Sequence, residues 1–225
     1  MKEIIFVQFI FFISLNAFSQ SAGDYLPKDP KALDLYEKSI ELFDSGEFEK
    51  GLRALKESIK IEPHYRTHME LGDKYYFYLH ENEKAIDQYT KAISFGIDLG
   101  TLYTRRGRIK SDEMSDFIGA IRDYNKAIQN INFEYVKGRD YSFIGSSDNV
   151  YVYRGLAKYN LGDYRGAISD FDKHFSLFKE RDPYIHYVRG LAKINLGDQH
   201  SGCLDLSKAG EIGYDDAYKA IQEKC

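Results

Sequence analysis

Along residues 151–175, YVYRGLAKYNLGDYRGAISDFDKHF, large apolar residues recur every three or four positions on either side of Leu161-Gly162-Asp163. That period predicts two amphipathic helices joined by a tight turn. Related stretches lie before and after it. Taking Gly155 as a marker, its equivalents are Ser39, Gly72, Gly107 and Gly190, and the small residue of the second helix falls at Gly51, Ala85, Ala120, Ala167 and Gly202. The markers stand 33 to 35 residues apart, except for 48 between Gly107 and Gly155. The second helices echo one another: Ala85-Ile86, Tyr89 and Ala92-Ile93 become Ala120-Ile121, Tyr124 and Ala127-Ile128, then Ala167-Ile168, Phe171 and His174-Phe175. Small residues at these points let two helices approach closely, and the large ones fill the space between neighbours. One pair cannot bury its own apolar face, so the pairs are expected to stack.

Leu71-Gly72, Gly162-Asp163-Tyr164, Ala167 with Phe171, and the unit-closing Pro63 together resemble the tetratricopeptide repeat family. The resemblance covers residues 32–225 and implies an all-α solenoid of five helix-turn-helix repeats. Their approximate bounds are 32–65, 66–99, 100–132, 148–182 and 183–213, with an insertion at 133–147. Residues 215–225 resemble the helix that caps such arrays. Three features depart from the family pattern. The first-helix Trp is replaced by Leu35, Tyr103, Tyr151 and His186; only the first repeat has a closing proline; and repeats two and three carry one extra residue between their markers.

The start of the chain follows another pattern. Residues 4–15 are apolar but for Gln8 and Ser14, and Ala17 and Ser19 fit the small-x-small rule for signal-peptidase cleavage. Residues 1–19 are therefore expected to be a signal peptide cut before Gln20, with 20–31 as a linker. A permanent anchor would need ~20 apolar residues, more than this run supplies. The mature protein is expected to be periplasmic or secreted, with no membrane span after cleavage. The Phe18-Ser19-Gln20 junction and the Gly202-Cys203-Leu204-Asp205-Leu206 tail are similar to those of exported Bacteroidota repeat proteins. A net charge of −4 and a pI near 5.9 argue against nucleic acid as a partner.

Comparing the repeats with one another adds a second pattern. An Arg precedes the marker in repeats three, four and five (Arg106, Arg154, Arg189), and the second helices of the same repeats carry Asp123, Asp170 and Asp205. Repeats one and two lack both. This predicts bidentate ion pairs, within a repeat or between neighbours, that orient the helices; shared ancestry of three duplicated repeats would leave the same trace. The insertion holds Phe133, Tyr135, Tyr141, Phe143 and Ile144, too apolar for a free linker. It is expected either to clip onto the repeats or to gate a groove.

Tetratricopeptide repeats usually bind through the face lined by their first helices. Counting by the helical period from each marker, the resemblance places Tyr36, Phe43, Arg66, Met69, Asp73, Tyr76, Arg108, Leu156, Tyr159 and Tyr187 on that face, with Arg105 at its border. Aromatic ends around a cationic middle suit a polypeptide with apolar anchors and an acidic group. The alternative is that the chain fills this face itself. Catalytic patterns are weak. Ser176-Leu177-Phe178-Lys179 and Ser147-Asp148-Asn149 match the serine-activating motifs of penicillin-binding enzymes, but in reversed order and without Lys-Thr-Gly. His64 and His68 could share a helix face as metal ligands, yet no third ligand is evident. No catalytic residue, metal or cofactor is expected.

Cys203 opens the last second helix and Cys225 ends the chain. In an antiparallel hairpin they lie about ten and twelve residues from the turn, roughly 15 and 18 Å along the two axes. A disulfide is expected where export permits one; a free Cys203 with a frayed Cys225 is the alternative. Together these features point to a non-catalytic, exported scaffold for another protein. A carrier or sensor holding a small anionic or glycan ligand at Arg105 and Arg108 is the second reading.

Overall fold

The computed structural model describes residues 26–97, 99–130, 149–178 and 182–225. Residues 1–19, expected to be a signal peptide, and the 133–147 insertion lie outside the described residues. Among the described residues every regular element is a helix. The chain divides into two compact units, Met1–Ile97 and Asp98–Cys225.

The first unit holds α1 (Pro30–Asp44), α2 (Phe48–Ile61), α3 (Tyr65–Phe77) and α4 (Asn82–Ile93). Pro30 begins α1 inside the expected linker, because its missing N–H is harmless in a first turn and Asp29 caps the N–H groups of Lys31 and Ala32. The second unit holds α5 (Leu99–Asp112), α6 (Phe117–Asn130), α7 (Val150–Asn160), α8 (Tyr164–Leu177), α9 (Pro183–Asn195), α10 (Gln199–Glu211) and α11 (Asp216–Lys224). Consecutive helices pair as α1 with α2, α3 with α4, α5 with α6, α7 with α8 and α9 with α10, and α11 closes on α10. Within the second unit α6 also packs on α7, and α8 on α9. The stacking therefore runs directly across the long spacing between repeats three and four.

The marker glycines sit where first helix meets second. A Cβ on Gly72, Gly107 or Gly155 would stand 2.7–2.8 Å from the ring of Tyr89, Tyr124 or Phe171. Each ring is almost wholly buried. The aromatic knob of the second helix thus rests on bare backbone of the first, which fixes the register of the pair. Repeat five differs, with Leu206 in place of the ring and Gly202 facing Gly190 across backbone.

The turns explain the extra residue of repeats two and three. Gly46, Gly162 and Gly197 take positive φ between the helices of repeats one, four and five; His80 (φ 53) and Ser115 (φ 54) do so in repeats two and three. In the glycine turns the closing bond spans five residues, as in Asp163 N–H to Lys158 O, whereas Glu81 N–H reaches Tyr75 O and Asp116 N–H reaches Lys110 O across six. The wider loop absorbs the insertion before the second helix starts. A non-glycine left-handed residue costs about 1–2 kcal/mol. His80→Gly and Ser115→Gly are therefore each expected to stabilise the chain by about 1 kcal/mol, after the added chain entropy of glycine. Urea midpoints would show it; a loss of stability in both variants would contradict this account of the turns.

Candidate functional site

Each repeat of the second unit contains a cationic fork closed on a buried carboxylate. Arg154 donates from Nε and Nη2 to the two oxygens of Asp170 at 2.9 and 2.6 Å. Arg106 does the same to Asp123, and Arg189 to Asp205, at 2.6–2.9 Å. A lysine one turn after each arginine completes the cluster: Lys110, Lys158 and Lys193 lie 2.7–2.8 Å from the same carboxylates. The free edge of the fork then reaches the preceding repeat. Arg154 Nη1 donates to Asn125 Oδ1 at 2.6 Å, and Arg189 Nη1 to Asp172 Oδ1 at 2.7 Å. One arginine thus ties two helices of its own repeat and a third from its neighbour. Sequence reasoning missed the lysines and the Asn125 and Asp172 acceptors. The signal was present as Arg-Gly-x-x-Lys in all three repeats, and as a polar residue two places after Asp123 and Asp170.

In the first unit, the residues expected to bind a partner divide by burial. Tyr36, Phe43 and Met69 are only 4, 6 and 2% exposed and belong to the interior. In this unit the phase that the helical count picks out lies in the interior at these three positions. Arg66 donates from Nε to the Tyr36 hydroxyl at 3.3 Å and lies 3.9 Å from Glu70. Asp73 accepts from the Tyr89 hydroxyl at 2.5 Å, and Tyr76 packs on Phe77. His64 Nδ1 accepts from Arg66 N–H as a helix cap, and His68 Nδ1 meets Gln88 Oε1 at 2.8 Å. Their ring nitrogens thus serve helix capping and packing.

In the second unit, Arg105 is part-exposed. The Arg108 guanidinium lies over the Tyr153 ring at 5.0 Å, with Nε 3.9 Å from Asp112. Leu156, Tyr159 and Tyr187 pack on the core formed by Val152, Ala167, Phe171, Ile185 and Val188 while keeping part of their surface outside. They are joined by residues from later elements. Tyr187 lies 4.8 Å from Tyr214 and Tyr184 lies 5.8 Å from it, centroid to centroid, and Tyr164 meets Tyr159 edge-on at 5.4 Å. Burial raises the pKa of Tyr159, with the neighbouring tyrosines adding to the effect and Asn195 opposing it through a hydrogen bond. The result is a strip of tyrosines over α7, the start of α8, α9 and the turn before α11. Tyr214 and Tyr164 were not legible as members, since they lie outside the first-helix count.

Cys203 and Cys225 form a disulfide with Cα atoms 5.9 Å apart, and Gln199 Nε2 donates to Lys224 O beside it. The bridge fastens α11 along α10, with Tyr218 lying over Gly210.

Burial also sets the acid response of this unit. His174 is enclosed, and desolvation holds its pKa down at about 4, below the ordinary 6.5. For Asp205, burial pulls upward, but His186 at 3.8 Å and the close contacts from Arg189 and Lys193 outweigh it and hold the carboxyl well below its usual range. Both folded pKa values are depressed, so the unfolded chain takes up protons first. Stability is complete above pH 6.5, declines through the His174 window as pH falls to about 4, and declines further as Asp205 protonates. Desolvation lowers His68 in the first unit in the same sense. His174→Leu should make urea midpoints less dependent on pH between 6.5 and 4; an unchanged slope would show that the burial of His174 does not act this way.

Among the described residues the fold is all-α and of tetratricopeptide-repeat type, with two helix-turn-helix pairs in the first unit, three in the second, and a C-terminal helix closing on the last pair. Among solved structures, a MamA crystal structure is similar with a TM-score of 0.67 and 20% identity over 81% of this chain and 91% of that one. MamA residues 41 to the end from Desulfovibrio magneticus RS-1 match at 0.67 and 16% identity, over 83% of this chain and 97% of that one. PilW, described as a widely conserved type IV pilus biogenesis factor, matches at 0.61 and 12% identity, covering 82% of this chain and 78% of its own. At such identities the likeness concerns the fold. No family model matches the chain, and no curated protein does.

Proposed function

We propose that this chain is a non-catalytic, exported scaffold that holds a segment of another protein against the first-helix face of its repeats. The observation that carries the reading is the tyrosine strip of the second unit. Tyr184 is 41% exposed and its neighbours are partly so, although each could have been turned inward or replaced by a polar residue. Tyrosine gives wide contact area with few rotatable bonds, which is why such side chains dominate binding hot spots. Leu156, Tyr159 and Tyr187 would anchor apolar groups there. Arg66, Asp73 and Tyr76 offer polar contacts on the first unit, and Arg105 and Arg108 on the second. The Cys203–Cys225 bridge supports an oxidising compartment and thus export. A small anionic ligand at Arg108 is less favoured, because Tyr153 and Asp112 already engage that guanidinium.

The test places a photo-crosslinking phenylalanine analogue at position 184 in the producing cell. The reading expects a discrete polypeptide to be captured on irradiation, and not by the same analogue at Lys50 on α2. Capture of no polypeptide would overturn it, and a small molecule co-purified with the chain would then favour a carrier.

A further inference from the structure

We propose that the tyrosine strip, with Asp182 and Asp216 at its rim, docks a polypeptide segment that carries arginine or lysine. The inference rests on the scaffold reading and names the chemistry of its partner. Aromatic rings attract cations to their faces, because the ring quadrupole is negative there. This chain uses that attraction repeatedly on its own account. In the second unit Arg106 lies over Tyr103 at 5.4 Å, Arg154 over Tyr151 at 5.5 Å and Arg108 over Tyr153 at 5.0 Å. Among the described residues, no arginine or lysine lies over Tyr159, Tyr184, Tyr187 or Tyr214. The ring faces of these four tyrosines therefore receive no cation from the described chain.

The charges beside the strip point the same way. Asp182 caps α9 by accepting from Tyr184 N–H at 2.9 Å, which sets its carboxylate next to the most exposed ring. Asp216 begins α11, two residues beyond Tyr214. Both carboxylates are felt by the ring hydroxyls: burial first, then Asp216, Tyr184, Tyr187 and Asp182, raise the pKa of Tyr214, and burial, Tyr187 and Asp182 raise that of Tyr184. An acidic segment would be repelled here and a neutral apolar one would gain nothing from the carboxylates. A guanidinium or ammonium laid on the rings meets π faces and carboxylates together, and its aliphatic stem covers Leu156 and Leu191, both part-buried.

The test uses the purified full chain and four short capped peptides that alternate glycine with arginine, lysine, glutamate or phenylalanine. The chain has no Trp, so its intrinsic emission comes from tyrosine and reports binding without a label. The arginine and lysine peptides are expected to bind in a salt-dependent way. Tyr184→Leu and the double variant Asp182→Asn, Asp216→Asn should each weaken binding by about fivefold or more. Asparagine keeps the cap at 182, so thermal midpoints should stay near that of the parent. Removing the same charge elsewhere, with Glu57→Gln and Glu211→Gln, should change affinity little. Equal binding of the glutamate or phenylalanine peptide, or an equal loss in the control variant, would overturn the proposal. If crosslinking at position 184 captures a polypeptide whose contact segment is acidic, this inference fails and the scaffold reading stands; if no polypeptide is captured, both fail.

Discussion

Arg154→Met is expected to destabilise the chain by about 3 kcal/mol. Asp170 is 3% exposed, so its charge depends on the groups that surround it. Arg154 supplies two parallel hydrogen bonds, and Lys158 one contact at 2.8 Å. Methionine keeps much of the stem's packing but removes the fork, leaving a buried carboxylate with one cation and leaving Asn125 without its donor. Such a half-broken pair costs more than the intact pair contributes, because desolvation is no longer offset. The double variant Arg154→Met, Asp170→Leu should therefore recover much of the loss. Lysine at 154 should fall between the two, since it restores charge without the planar fork. Urea titrations of the parent, Arg154→Met, Asp170→Leu and the double variant close a double-mutant cycle. If Arg154→Met lies within about 0.5 kcal/mol of the parent, the recurrence of Arg and Asp reflects duplication alone.

Loss of the Cys203–Cys225 bridge is expected to cost about 3 kcal/mol, from the entropy regained by an unfolded loop of 22 residues. Cys203→Ser with Cys225→Ser, or reduction of the parent, should give that loss. The effect should be local before it is global. Ala217 and Ala220 are the buried residues of α11, so the capping helix has little apolar area of its own to hold it on α10 once the bridge is gone. Amide exchange should accelerate first in 216–225, with α7 and α8 unaffected under native conditions. Equal denaturation midpoints with and without reductant would contradict a stabilising role.

The helical architecture was legible because repeats two, three and four write it twice, in the glycine marker and in the aromatic knob that rests on it. Phe171 over Gly155 and Tyr124 over Gly107 are one contact seen in different repeats. The extra residue in repeats two and three was visible as a count, but not its cause. Only hydrogen bonds spanning six residues at His80 and Ser115 show how a wider turn absorbs it. The arginines and aspartates stood out as a pair that comes and goes together. The lysines of the same clusters did not, since Lys110, Lys158 and Lys193 read as ordinary exposed helix positions until packing brings them to one carboxylate. The binding face was the least legible. Period alone assigns Tyr36, Met69 and Tyr187 to one phase, yet the first two are buried and the third is part-exposed, because the neighbouring helices differ. Tyr214 joins the strip from a turn, where no helical count reaches.

Hydrogen–deuterium exchange of the full chain, alone and bound to the captured polypeptide, tests the central claim most directly. A partner on the first-helix face predicts slower exchange in Val150–Asn160, in Pro183–Asn195 and around Tyr214, with Tyr164–Leu177 and Gln199–Glu211 little changed. Protection confined to the second helices, or absent from the second unit altogether, would contradict it.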